Sequence, residues 1–374
     1  MGWNVDYLIV GSGLTGATIA RLLADAGREA LVVERRAHIG GNVHDELHPS
    51  GIRVHTYGPH YFRTNSDAVW NFANRFDVLY RYEAIVKTLV DGQYENWPIT
   101  SNYIRRVIGE NWEPSSRGEP QNFEEACLAM MPRVVYDKFV KGYTEKQWGV
   151  PTHRLTPHLV KRFEIRSDED PRLSRHKYQG IPSHGYAVWM QNMLAGIPVL
   201  LNTDYLQQRH AFRAKQLIFT GPIDEFFGFD WGRLQYRGQQ RELVYLPTVE
   251  YALPCGQLNN PDPANGAHVR TIEWKHMMPP DLKQNARGTV LTREMPISPT
   301  DPNSYEYPFP DRANAELYER YRQRAQSIPN LTICGRLGEY RYYDMDQAIG
   351  RAMMLARRLL ESRAVRASVV ATPA

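Results

Sequence analysis

The feature that most constrains this chain is Gly11-Ser12-Gly13-Leu14-Thr15-Gly16, set between two apolar segments. Residues 6–10, D-Y-L-I-V, read as a strand, and 15–27 carry helical periodicity ending on Gly27. A-L-V-V-E at 30–34 reads as a second buried strand, so the opening is a strand–helix–strand unit with a parallel sheet. In such a unit Gly11 allows the tight turn and Gly13 lets a diphosphate approach the backbone. Gly16 permits close helix–strand packing, and Leu14 and Thr15 begin the helix whose N-terminus carries the positive end of its dipole. Glu34 follows Gly16 by eighteen residues and ends the second strand, where a carboxylate can hold a ribose hydroxyl. Strand, glycines, helix and acid together predict dinucleotide binding.

Beyond the acid the chain reads Arg35-Arg36-Ala37-His38-Ile39-Gly40-Gly41-Asn42. A glycine pair six and seven residues past the acid is similar to the extended fingerprint of FAD enzymes, which adds Arg35, Gly41 and Asn42 to the cofactor wall. Pairing Arg35 and Arg36 with an NADP 2′-phosphate is the competing reading, but Glu34 would repel that phosphate. Near the other end Gly335-Arg336 follows a strand, L-T-I-C-G at 331–335, and Asp344 is placed to N-cap the last helix. A helix N-terminus aimed at a reduced isoalloxazine would stabilise its negative charge. The plainer alternative is a helix cap alone.

A length of 374 residues suits two or three domains at about one per 150 residues. Residues 97–190 show amphipathic helical segments, with a helix–helix junction expected at Met131-Pro132. Alternating segments at 234–237, 242–246 and 269–274 suggest an antiparallel sheet, and 298–304 a turn-rich loop. The last helix is expected from Asp344 to about Ser362, with a frayed tail at 366–374. The fold class is therefore α/β. A discontinuous FAD-binding Rossmann-like domain (1–80, 191–231 and 315–374) receives an inserted helical domain (97–190) and an antiparallel sheet domain (81–96 and 232–314).

A net charge of +4 is too small to imply nucleic acid or a membrane surface. No apolar run approaches the roughly eighteen residues a membrane helix needs. Cys127, Cys255 and Cys334 form no C-x-x-C pair, so no disulfide framework or zinc site is expected and the cytoplasm is the natural compartment. The sequence passes from M-G-W-N-V-D directly into a strand, so no secretory leader is expected. Ser-His-Asp ordering, H-E-x-x-H, Cys/His clusters and a P-loop are all missing, and no metal is expected. Arginines and tyrosines recur instead (Arg162, Arg166, Arg237, Arg270, Tyr307, Arg336, Tyr342, Tyr343), the forks and phenols that a diphosphate needs.

Five segments carry a family likeness: Y-G-P-H-Y-F (57–62), G-Y-T-E-K-Q-W-G (142–149), Y-Q-G-I-P (178–182), T-G-P-I-D-E-F-F (220–227) and G-R-L-G-E-Y-R-Y-Y-D-M (335–345). In order and spacing the chain resembles the bacterial UDP-galactopyranose mutase family over most of its length. That resemblance implies that Tyr143 stacks on a uracil ring and Trp148 lies beside the sugar. It implies that Arg162, from a mobile loop, and Arg270, from the sheet domain, close on the diphosphate, with Asn260, Tyr307 and Tyr342 as further substrate contacts. His60 and Tyr57 would lie against the flavin, with Arg336, Asp344 and Met345 completing its C-terminal motif. The implied reaction interconverts a nucleotide-linked hexopyranose and hexofuranose without net oxidation. Reduced FAD is the nucleophile, forming an N5–sugar adduct, and the protein orients and neutralises. The family also implies an isomerase working as a cytoplasmic homodimer in cell-surface polysaccharide synthesis. Two other readings stand beside it, a flavin oxidoreductase of the amine-oxidase or desaturase type and a non-catalytic nucleotide-sugar binder.

The chain departs from the family pattern on the substrate side. The usual H-x-F-H is His60-Tyr61-Phe62-Arg63, and the aromatic-rich mobile loop is S-D-E-D-P-R-L-S-R-H-K, with Leu173 where a tyrosine is usual. Arg172 or Arg175 are the candidate replacements at the phosphate. W-P-I-T at 97–100 replaces L-P-F-N, and the segment to Phe123 is short. Arg63 in particular suggests a changed sugar, such as the acetamido group of UDP-N-acetylgalactosamine, whose carbonyl could accept from it.

Overall fold

A computed structural model describes residues 2–115 and 118–370, with side chains as far as Glu361. Its centre is a five-stranded parallel sheet in the order Val199–Leu200, Ala30–Val33, Trp3–Val10, Phe212–Phe219, Leu331–Ile333. Ile9 pairs with Val32 on one side and Ile218 on the other. Strands covered on both faces lose the polar alternation of a half-exposed sheet, which is why 6–10 and 30–33 read as continuous apolar runs. The first strand starts three residues earlier than expected, at Trp3, because its outer residues are exposed and give no apolar signal. The helix Leu14–Asp25 packs over the sheet beside the closing helix Met345–Val370. A Cβ on Gly16 would lie 2.0 Å from the Gly11 carbonyl oxygen, so close packing does explain the third glycine.

The second sheet has seven strands, in the order Tyr307–Pro308, Tyr236–Leu246, Thr289–Ile297, Arg270–Glu273, Gln257–Asn259, Val86–Val90, Gln93–Trp97. It is antiparallel except where Gln257–Asn259 runs parallel to Val86–Val90. Residues 236–237 of the first expected segment and all of 242–246 belong to one strand of eleven residues, Tyr236–Leu246, while Leu234 and Gln235 precede it. Buried Gly238 and Gln239 interrupt the apolar alternation there without interrupting the ladder to Thr289–Ile297.

Helical segments at Ser101–Ile108, Phe123–Leu128, Arg133–Val135 and Gly142–Trp148 surround a core of their own that includes Ile104, Phe123, Tyr136, Phe139 and Trp148. Pro132, extended at φ −62° and ψ 147°, makes the expected junction. The helical domain ends earlier than 190, however. Strand Tyr178–Pro182 pairs with Phe62–Thr64 and Leu79–Arg81, and helix Tyr186–Met193 buries Tyr186, Trp189 and Met190 in the core of the Rossmann-like unit. Periodicity marks an amphipathic helix but cannot say which core receives it. The closing helix also continues past 362 to Val370, so residues 366–370 of the expected frayed tail have helical backbone, and 371–374 lie outside the described residues.

His55 joins these layers. It is 3 % exposed, 4.9 Å from Trp274 and 5.2 Å from Tyr186 between ring centroids, and its Nδ1 accepts from the His60 backbone N–H at 3.1 Å. Burial first, and Arg53 second, push this imidazole down to about 3, so it is neutral in the fold and takes up a proton on unfolding. Between pH 6.5 and that value the unfolded state binds the extra proton, so stability falls as pH falls. The expected slope from His55 is about 1.4 kcal/mol per pH unit. Urea denaturation across this range should show it, and His55→Gln should flatten the profile by about one proton.

Candidate active site

The first cleft, about 180 Å³, opens where the helix Leu14–Asp25 begins. Gly11, Gly13, Leu14, Thr15, Glu34, Arg35, Gly41, Asn42, Gly335, Arg336 and Met345 line it, while Gly16 lies beneath in its packing role. Bare backbone faces the opening. A Cβ on Gly41 would come within 3.0 Å of Gly13 Cα, and one on Gly335 (φ +85°) within 3.3 Å of Thr15 Oγ1. Such a cradle at a helix N-terminus fits the diphosphate of a dinucleotide. Glu34 has a second task besides the one expected. Its Oε2 accepts from the Ser12 N–H at 2.9 Å and hydroxyl at 2.7 Å, and its Oε1 from the Arg36 N–H at 2.9 Å. Arg35 reaches the cleft wall but forks onto Glu225 at 2.9 and 2.7 Å.

A second cavity, about 830 Å³, shares Asn42, Arg336, Tyr343 and Met345 with the first. Tyr57, His60, Arg63, Tyr143, Trp148, Arg162, Arg270, Tyr307, Tyr342 and Asp344 also line it. Asn260 does not. It is 3 % exposed, and its Nδ2 donates to the Asn265 and His268 carbonyls at 3.2 and 3.1 Å, knitting the loop at 260–268. Asn259, directly across the ladder from Arg270, lines the cavity in its place. Successive side chains alternate between faces, so a count one residue out lands on the wrong side.

The cavity wall that carries Arg270 rests on a buried chain of ions that sequence reading missed. Arg270 Nε donates to Glu294, whose Oε1 accepts from Arg241 Nε at 3.0 Å. Arg241 in turn forks onto Glu306 at 2.8 and 3.0 Å, and the Glu306 carbonyl accepts from Arg336 Nη1 at 3.1 Å. Burial alone would raise the Glu294 carboxyl, but Arg270 and Arg241 hold it below the usual carboxylate range. Burial does raise Glu306. A Cβ on Gly58 (φ +87°) would lie 2.5 Å from Glu294 Oε1, so only glycine brings the 57–60 turn against this chain.

Arg162 lies 4.3 Å from the Tyr342 ring centroid, and Arg336 5.2 Å from the same centroid. Tyr307 stacks on Tyr342 at 5.9 Å and 13°. Arg162 is exposed and makes no ion pair among the described residues, which leaves its fork available. Asp344 stands at the N-cap position, its carbonyl accepting from the Ala348 N–H at 2.9 Å. Its carboxylate is not the cap that was expected. It accepts from the Tyr342 hydroxyl at 3.2 Å and from Arg63 Nη2 at 3.4 Å. His60 Nδ1 lies 2.8 Å from the Gly58 carbonyl, and burial pushes this ring down to about 3. A carbonyl only accepts, so the neutral ring carries its proton on Nδ1 and leaves Nε2 as an acceptor. Trp148, 7 % exposed, meets Phe309 edge-on at 5.8 Å.

Three other arginines do structural work. Arg237 donates to the Gln147 and Lys146 carbonyls at 2.7 and 3.2 Å, closing the end of helix Gly142–Trp148. Arg166 is buried in a carbonyl cage made by Asp170 at 3.1 Å, Leu173 at 3.3 Å and Arg172. Arg172 pairs with Asp170 and Glu83 away from the cavity, whereas Arg175 and Leu173 reach its wall.

Comparison with known proteins identifies the family. A family model described as UDP-galactopyranose mutase matches residues 138–342, and one described as an NAD(P)-binding Rossmann-like domain matches 9–76. The chain is 33% identical to a protein of Klebsiella pneumoniae named probable UDP-galactopyranose mutase, with 96% of each chain covered. It is 32% identical to the dTDP-fucopyranose mutase of Escherichia coli, covering 95% of this chain and 98% of that one. A crystal structure of reduced UDP-galactopyranose mutase shares the fold, with a TM-score of 0.72 at 15% identity over 96% of this chain and 94% of that one. The cradle, the ion chain and the arginine–tyrosine wall are thus those of a chain that belongs to the UDP-galactopyranose mutase family.

Proposed function

We propose that the protein interconverts the pyranose and furanose forms of a nucleotide-linked hexose, with FAD as its cofactor and no net oxidation. The observation that carries this reading is the shared wall. Arg162, Arg270, Tyr307 and Tyr342, all suited to a diphosphate, line a cavity that joins the dinucleotide cleft at Asn42 and Arg336. Tyr143 and Trp148 offer aromatic faces to the nucleoside and sugar ends of the substrate. The glycine cradle with Leu14 and Thr15 would hold the FAD diphosphate and Glu34 its ribose, with Arg336 and Met345 at the boundary with the substrate. When bound and reduced, the flavin supplies the nucleophile that takes the sugar from its diphosphate.

The chain's own residues handle charge and position. Arg270 is oriented through Nε by Glu294, which leaves the outer nitrogens of its fork for the leaving diphosphate. Arg162 brings a second cation with no carboxylate partner among the described residues. The neutral His60 adds an acceptor without adding charge beside the cofactor. The sugar itself is less constrained. Arg63 contributes a permanent donor on the cavity wall beside Asp344, which favours a substituent that accepts, such as the acetamido group of UDP-N-acetylgalactosamine, alongside UDP-galactose. The Escherichia coli relative, named for dTDP-fucopyranose, is a reminder that both nucleoside and hexose vary among similar chains. The buried thiols of Cys127, Cys255 and Cys334 suit the cytoplasm, where a homodimer would supply furanose units for cell-surface polysaccharide. An amine-oxidase or desaturase type of reaction would leave the arginine pair without a purpose.

Anaerobic incubation of dithionite-reduced protein with UDP-galactofuranose and with its 2-acetamido analogue, read by chromatography, tests this directly. Conversion to the pyranose without consumption of reductant is expected. If neither sugar reacts while FAD stays bound, these two are not the substrates, and incubation with a dTDP-linked hexose decides between another nucleotide sugar and another reaction. Arg63→Ala should depress conversion of the acetamido sugar more than that of the parent sugar. Arg270→Ala should weaken UDP binding by about 2 kcal/mol, roughly thirtyfold, at unchanged flavin content. Loss of flavin in that variant would move Arg270 to the cofactor site.

A further inference from the structure

Tyr143 and Trp148 belong to the helical region and Arg270 to the seven-stranded sheet, so one nucleotide can engage all three only if the two units are held in register. The helix Gly142–Trp148 shows how this is done. Residues four apart share a helical face, so Tyr143 pairs with Gln147 and Thr144 with Trp148, and all four line the cavity. Gly142 and Lys146 form a third pair, which faces the 260–268 loop instead. Lys146 is not among the residues that line either cavity. Its Nζ donates to three backbone carbonyls of that loop, Asn260 at 3.0 Å, Asp262 at 2.8 Å and His268 at 3.2 Å. An ammonium has three protons, and here each has an acceptor. One turn earlier a Cβ on Gly142 would lie 2.1 Å from the Pro261 carbonyl oxygen, so helix and loop meet at backbone distance. The clasped loop leads straight into strand Arg270–Glu273, and the Asn260 N–H closes its base on the Val269 carbonyl at 2.8 Å.

We propose that Lys146 is a positioning residue for the substrate, clasping the 260–268 loop so that Tyr143 and Trp148 stand at a fixed separation from Arg270. The proposal rests on the nucleotide-sugar reading of the cavity. It gives a purpose to a lysine that no substrate can reach through the cavity wall.

The charged groups around the clasp are Asp262 and His268 on the loop and Arg237, which donates to the Lys146 carbonyl from the neighbouring strand. Burial draws the Lys146 ammonium down to about 8, against the opposing pull of Asp262. Burial, Lys146 and Arg293 together lower His268, against Glu242, so His268 titrates below its ordinary range. Above about pH 8 Lys146 loses its charge and one of its three donors, and the clasp loosens.

The test is a titration of the flavin-loaded protein with UDP between pH 7 and 9.5. Affinity should be flat to about pH 8 and fall beyond it. At pH 7, Lys146→Met should bind UDP about tenfold more weakly, the loss expected for a charged hydrogen bond acting through position. It should lose the inflection and keep its flavin, and the effect should appear in KM, with kcat at saturation largely kept. A wild-type profile flat across the whole range overturns the proposal, and so does a Lys146→Met variant that binds UDP as tightly as wild type. If Lys146→Met does not fold, Lys146→Gln decides by the same loss of UDP affinity at pH 7. Failure of the wild-type protein to bind either UDP or dTDP at any pH overturns the nucleotide-sugar reading, and this one with it.

Discussion

The buried series Arg270–Glu294–Arg241–Glu306 is the interaction on which the rest of the site depends. Four ionised groups withdrawn from water carry a desolvation cost that their mutual attraction offsets only with good geometry, and removing one partner of such a set typically costs about 3–5 kcal/mol. A hydrophobic set of equal volume would stabilise the sheet as well or better. What it could not do is present a guanidinium, already oriented through one nitrogen, to an anion in the cavity. The geometry fits that purpose. Arg270 spends Nε on Glu294, Glu294 is held ionised from both sides, and Arg241 spends its fork on Glu306.

This series also joins parts of the chain that are distant in sequence. Arg241 and Glu294 come from adjacent strands of the seven-stranded sheet, and Glu306 stands beside its edge strand. The Glu306 carbonyl holds Arg336, which follows the last strand of the parallel sheet and borders both cavities. Gly58 lets the turn carrying Tyr57 and His60 lie on Glu294. The two adjoining cavities thus share one electrostatic footing, which explains how segments near residues 60, 270 and 336 meet at a common wall.

Legibility in the sequence followed locality. The glycine fingerprint, Glu34 and the Pro132 break are set by neighbours within a few turns of chain, and the structure has them where the residues predict. Glu294, Arg241 and Glu306 were invisible, because charged residues on strands read as solvated until the partner strand is known. Arg237 shows the converse, read as an anion binder yet spent on the carbonyls of a helix end, and Arg166, though on the cavity wall, gives its outer nitrogens to carbonyls of its own loop. Asn260 was misplaced for a related reason, since spacing within a family identifies a strand more readily than it identifies the face. The segment at 178–190 was assigned to the wrong domain because its pairing partners, residues 62–64 and 79–81, lie a hundred residues away.

The two cavities differ in what each wall is made of. The cofactor cradle is backbone against backbone. A side chain at Gly16 would overlap Gly11, and one at Gly41 would crowd Gly13, so the positions resist change one at a time. The larger cavity, about 830 Å³, is lined instead by side chains, Arg63, Leu173 and Arg175 among them. The loop that carries Leu173 and Arg175 keeps its course by other means. Arg166 gathers its carbonyls from within, the Leu173 N–H donates to the Ala84 carbonyl at 2.7 Å, and Arg172 pairs with Glu83. With the backbone held by those contacts, side chains on this part of the wall can differ while the arginine–tyrosine wall and the glycine cradle stay as they are. Variation of substrate at constant chemistry is what such a division of labour permits.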